Sequence, residues 1–175
     1  MQQRVGDQIN ESNYMEENVR VNISGVAQVD TPFGPTPVLL LEDSRERVLV
    51  IVVGASEASS IATALSGVEM PVPNTHDFMM KVLEGVNVRV KRGEIYDLQS
   101  NRFLARITVE SNMGEITVGG RPSDVIAIAV RAGAEVYVTE DVMKRASIDK
   151  SSLLREGERE GEEREDFEEE NSEEG

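Results

Sequence analysis

Three runs, VNVRVKRGEI (Val86 to Ile95), RFLARITVE (Arg102 to Glu110) and GEITVG (Gly114 to Gly119), lead directly into GRPSDVIAIAVRA (Gly120 to Ala132). Each of the three alternates apolar and polar residues, the period of a strand with one face buried. Turn residues separate them, at Asp97 to Asn101 and Asn112 to Gly114. Consecutive strands joined by such short connections pair antiparallel. The run that follows changes period. Proline suits the first position of a helix, where no N–H is needed and its φ is already helical. Val125 to Val130 is apolar nearly all round, as a core helix should be. Gly133 then closes it.

The rest of the chain extends this pattern in both directions. Val19 to Ser24 alternates, and Val26 and Val29 prolong it past Gly25 as a bent or bulged strand. Thr31-Pro32-Phe33-Gly34-Pro35 is turn chemistry, with Thr36 to Glu42 returning as a second strand. Arg47 to Val53 (RVLVIVV) reads as a central strand buried on both faces. A helix follows from Ser56 to Leu65, and a second opens at Asn74-Thr75-His76-Asp77 with Phe78, Met79, Val82 and Leu83 as its apolar face. Glu135 to Thr139 gives a last strand and Glu140 to Ala146 a last helical piece. The order implies a single α+β domain over residues 19–146, with a mainly antiparallel sheet and helices packed on one side. Residues 1–18 read as a flexible lead-in and residues 147–175 as an acidic disordered tail.

Composition bounds the chemistry. The formal charge is −15, but from Arg155 onward twelve acids face three arginines. Residues 19–154 hold fourteen bases and seventeen acids, so the folded part is nearly neutral and a local basic face is open to it. Without cysteine, disulfides, thiolate metal sites and a cysteine nucleophile are excluded. No apolar run reaches membrane-spanning length, and the N-terminal stretch is unlike a signal peptide, so a cytoplasmic protein is expected.

Three sets of residues are candidates for function. Arg121 with Ser123 and Asp124 opens the core helix, where unpaired N–H groups and the positive dipole end favour an anion. The same grammar also serves as an ordinary helix start. His76, the one histidine, can give and take protons near neutral pH, and Asp77 beside it offers hard oxygen to a divalent ion. The bland alternative is that Asn74 or Thr75 caps the helix and Asp77 completes its first turn. Arg89 and Lys91 on one strand and Arg102 and Arg106 on the next would place four cations on one sheet face, a track for a phosphate backbone. Solvated strands also carry such charges for solubility.

The stretches VLVIVVGASEASSIATAL, PNTHDF, ARITVES with its hairpin, and GRPSDVIAIAVRAGAEVYVTEDV occur here in this order. Together they resemble the bifunctional nuclease domain family, whose members are described as cutting both DNA and RNA. The likeness runs from about Val19 to Met143. Family members typically carry THDL and D-x-RPSDA; Thr75-His76-Asp77-Phe78 and Gly119-Gly120-Arg121-Pro122-Ser123-Asp124-Val125 stand at those places, with Gly119 where the pattern has Asp. No arginine precedes Pro73, where family members often have one. The resemblance nominates Thr75, His76, Asp77, Arg121, Ser123 and Asp124, and implies a compact α+β fold and a homo-oligomer, with a dimer the first expectation. On this basis the chain is expected to hydrolyse phosphodiesters of nucleic acid. Arg121 would hold the phosphate, His76 would move the proton, and Asp77 and Asp124 would bind one Mg or Mn ion. The rival expectation is a non-catalytic oligomeric scaffold for nucleic acid, a metabolite or a protein.

Overall fold

The computed structural model describes residues 18–68 and 70–153. Eight strands form one sheet in the order β6-β5-β4-β7-β1-β2-β3-β8. In sequence these are β1 (Asn18–Thr31), β2 (Gly34–Glu42), β3 (Arg47–Val52), β4 (Arg89–Gln99), β5 (Arg102–Ser111), β6 (Gly114–Gly120), β7 (Glu135–Thr139) and β8 (Ser147–Asp149). Every neighbouring pair is antiparallel except β4 and β7. The helices are α1 (Ala55–Leu65), α2 (Thr75–Gly85), α3 (Pro122–Ala132) and α4 (Glu140–Ala146). The fold is therefore α+β, as the residue pattern implied.

β1 is shared by the two halves of the sheet. Asn18 to Val21 pair with β7, while Asn22 to Thr31 pair with β2, and an irregularity between Ile23 and Gly25 bends the strand where it changes partner. The bend lets the sheet curl. Helix α4 joins its two halves, with Glu140 bonded to Arg47 of β3 at 2.9 Å and Arg145 to Asp97 of β4 at 3.4 Å. Helix α3 packs on β4 and β5, α1 packs on β1, β2 and α3, and α2 packs on α3. Their shared core includes Leu39, Leu41, Leu49, Ile51, Ile61, Ile95, Val125 and Ile126. Gly93 is required there, because a Cβ at that position would meet Val125 at 2.9 Å.

Several boundaries differ from those the sequence suggests. β3 is not a central strand; it lies one place from the edge, covered only by the three-residue β8. Val52 is accordingly 67% exposed, although RVLVIVV reads as buried throughout. α1 begins at Ala55 behind Gly54 rather than at Ser56. β4 runs on to Gln99, since Ser100 and Asn101 at positive φ close a two-residue hairpin. The fold also continues past Ala146, where β8 pairs with β3. The expected flexible lead-in lies, apart from Asn18, outside the described residues, as does the acidic stretch from Arg155. Among the described residues no helix is long and apolar enough to cross a membrane.

The largest correction concerns α2. Phe78, Met79 and Val82 were expected to face the core, yet Phe78 is 62% exposed and the other two are also outside. Leu83, the fourth residue of the expected face, does pack against the core; Met80 joins it there in place of the other three, and His76 is buried. The cause is polar: His76 is bonded to Ser60 of α1 and to Asp124 of α3, and Asp77 to Arg131 of α3, which holds the start of α2 in this orientation.

Candidate active site

The starts of α2 and α3 meet directly, His76 of one lying 3.3 Å from Asp124 of the other. At α2, Asn74 caps the helix, its Oδ1 accepting from the N–H groups of His76 at 2.9 Å and Asp77 at 3.1 Å. Asp77 answers by accepting from the Asn74 N–H at 2.9 Å, which completes a capping box. At α3, Arg121 is the N-cap and Pro122 the first helical residue. Its side chain does not cap. It turns instead onto Asp124, with Nε donating to Oδ2 at 2.8 Å and Nη2 to Oδ1 at 2.9 Å. Arg121 also contacts Glu57 of α1 at 2.8 Å.

Asp124 Oδ1 is the meeting point. His76 Nε2 lies 3.3 Å from the oxygen that Arg121 Nη2 also reaches. The other ring nitrogen, Nδ1, lies 2.9 Å from Ser60 Oγ, and Ser60 Oγ accepts from Arg131 Nη2 at 2.9 Å. Arginine only donates, so the bonds are all used if Arg131 donates to Ser60, Ser60 to Nδ1, and Nε2–H to Asp124. This assigns the Nε2–H tautomer to the neutral imidazole. Arg131 goes on to Asp77 at 2.6 Å and to the Ser60 and Ala127 carbonyls. One continuous set of bonds thus runs Glu57–Arg121–Asp124–His76–Ser60–Arg131–Asp77–Asn74.

The electrostatics follow from these partners. The two Arg121 bonds, and secondarily His76, hold the Asp124 carboxyl below the usual range. Arg131 does the same for Asp77, helped by the Asn74 N–H. Arg121 is raised in turn, mainly by Asp124. Serine, histidine and aspartate here have the connectivity of a nucleophilic triad, but Ser60 is buried and already accepts from Arg131. It orients the ring rather than attacking substrate.

Arg121 opens onto a cleft of about 690 Å³ between the end of β3, the β4–β5 turn and the start of α3. Its side chain remains 66% exposed despite two acid partners. Ser123, buried in the first turn of α3, and Arg102 line the same cleft. Asp77 lies elsewhere, on a separate cleft of about 500 Å³ with Lys81 and Arg131. Thr75 is exposed at the first position of α2, outside the bond network.

The expected metal pair does not form as a donor set. Asp77 gives its oxygens to Arg131 and Asn74, Asp124 gives its own to Arg121 and His76, and the imidazole stands between them. Among the described residues no three His, Asp or Glu side chains gather as a metal site would need. The four-cation track is also divided. Arg89 and Lys91 pair with Glu110, and Arg106 pairs with the buried Glu94 at 2.8 Å while resting on the Tyr96 ring. The register break at Val90/Arg92 brings Glu94, rather than Gly93, opposite Arg106, so an acid is set into the track. Of the four, Arg102 alone lines the cleft with Arg121.

Glu57, Ser60 and Arg131 complete the site without having been singled out in the sequence. A serine inside a helix and an arginine in a last turn are ordinary there, and no spacing marks them. Gly119, on β6 opposite Arg106, has room for a side chain.

Comparison with known proteins places the chain in a family. The model of the bifunctional nuclease domain matches residues 38–151, a span that includes Glu57, Ser60, His76, Asp77, Arg121, Asp124 and Arg131. Two proteins of Mycobacterium tuberculosis, from strains CDC 1551 and H37Rv and both described as uncharacterized, are 38% identical over 128 residues, covering 73% of this chain and 76% of each relative. With the match covering more than half of its residues, the chain belongs to the bifunctional nuclease domain family.

Proposed function

We propose that this chain hydrolyses phosphodiester bonds of nucleic acid at the cluster around Asp124. One observation carries the proposal: exposed Arg121 and buried His76 reach the same carboxylate oxygen, so a phosphate-binding group and a proton-exchanging group flank one small volume. Arg121 would take the scissile phosphate and stabilise the charge that develops on it. Asp124 would orient the attacking water, and His76 would exchange the proton at Nε2 with the attacking or leaving oxygen. Ser60 and Arg131 would hold the imidazole in place from behind. The carboxylates here supply no step through a metal ion; dependence on Mg or Mn is an arm of the test.

Incubation of purified protein with labelled single-stranded and duplex substrates, with Mg, with Mn and with chelator, tests the reading. Arg121→Ala and His76→Ala should each lower cleavage by about 10²-fold or more. Cleavage that survives both substitutions would belong to a contaminating nuclease and would sink the proposal.

A non-catalytic reading has its own support. Arg121 and Asp124 have internal partners, and the cluster staples α1, α2 and α3 together. On that reading the protein is an oligomeric scaffold, with the exposed Phe78, Val82 and Val86 as contact residues for a dimer. Absence of cleavage under all three conditions, with a dimer by light scattering, would favour it.

A further inference from the structure

The cleft beside Arg121 has a lining that phosphate binding does not explain. Val52, on a strand whose other apolar residues are largely enclosed, presents its side chain to solvent there. Phe103 and Pro122 line the same cleft, so apolar surface is present in a cleft that Arg121 and Arg102 also line. Asn101 lies at its lip, held by a turn in which Ser100 and Asn101 adopt φ of 48° and 59°. Asparagine tolerates that conformation and carries both a donor and an acceptor.

We infer that this cleft receives one unstacked base of a single-stranded nucleic acid, with the flanking phosphates on Arg121 and Arg102. The inference rests on the reading of Arg121 as a phosphate-binding residue. Charge and shape choose the occupant. A cleft lined by two arginines and by Val52, Phe103 and Pro122 matches a nucleotide, whose anionic backbone carries a flat ring of low polarity. At about 690 Å³ the cleft falls within the range of sites that enclose a small organic group. A base in a duplex has both faces stacked and its edge paired, so it enters only by unstacking. Single strands bring bases already free. The preference for single strands therefore comes from Val52 and Phe103, while affinity comes from the arginines.

The test is equilibrium binding by fluorescence anisotropy, which does not depend on cleavage. The full-length protein is titrated against a short labelled single strand, its blunt duplex, and the same strand with its central bases replaced by abasic linkers. The single strand should bind at least about tenfold tighter than either of the others. Val52→Glu, at an exposed position where folding can be verified by its thermal melt, should remove that difference. Arg102→Ala should weaken all three ligands and reduce the salt slope for the single strand by about 0.7, the loss of one phosphate contact. Equal affinity for duplex and single strand, indifference to abasic linkers, or no binding at all would overturn the inference. So would a free nucleoside monophosphate that competes as well as the strand. Base-dependent binding without cleavage would retain this inference and discard the hydrolytic one; cleavage without base dependence would do the reverse.

Discussion

Helix α3 carries an arginine at each end of the site, and the two live in opposite surroundings. Arg131 is 8% exposed and spends its donors on Asp77, Ser60, Asn74 and the Ala127 carbonyl. Arg121 is 66% exposed, paired with Glu57 and Asp124 and open to a cleft. A guanidinium whose donors are all met inside the protein is an architectural part. One that keeps an open face is available to a ligand, because exchanging one acid partner for a phosphate costs little where water already competes.

The comparison breaks most directly if the two arginines are removed in turn. Arg131→Ala should cost up to about 3 kcal/mol in urea unfolding, no more than the low end for a buried pair, because Asp77 is itself 30% exposed. Arg131→Lys should restore little, since a single ammonium cannot replace the planar fork. Arg121→Ala should leave the urea midpoint nearly unchanged while cleavage falls. If Arg121→Ala proves the more destabilising, the assignment of roles is reversed.

Acid should expose the same contrast. Asp77 is held below its ordinary range chiefly by Arg131, so it contributes stability above the unfolded carboxylate value of about 3.9 and loses it as pH falls through the lowered folded value. Wild type should therefore be more stable than Asp77→Asn at pH near 7, with the gap closing below about pH 4. Denaturant midpoints for both proteins across that range measure it. A gap independent of pH would mean that Asp77 acts through its capping hydrogen bonds, which asparagine can partly keep, rather than through Arg131.

The smallest effect sharpens the open end. Glu57 competes with any phosphate for Arg121. Glu57→Gln should strengthen oligonucleotide binding about threefold, in keeping with the modest worth of a partly exposed ion pair. Unchanged or weaker binding would show that Glu57 positions Arg121 instead of restraining it.

Local chemistry was legible where it acts over a few residues. Asn74 as cap, Asp77 in the first turn, Pro122 at the helix start and Gly133 at its end, with φ of 62°, all follow from short-range rules. The hairpins of β4, β5 and β6 follow likewise. The rotation of α2 did not, because Phe78, Met79 and Val82 form a convincing apolar face by periodicity alone. What turns the helix is His76 bonded to Ser60, 16 residues back, and Asp77 bonded to Arg131, 54 residues on.

By itself the sequence determined the α+β class, the helix starts and the family signature at Thr75-His76-Asp77 and Arg121-Pro122-Ser123-Asp124, since propensity, capping and hydrophobic period are encoded over a few neighbours. Tertiary structure decided that His76 and Arg121 share Asp124, that Asp77 is bonded to Arg131, and that Val52 faces a cleft. Those outcomes depend on which charged groups meet across the helix layer, and on where the curled sheet ends. Both are settled only when distant segments pack.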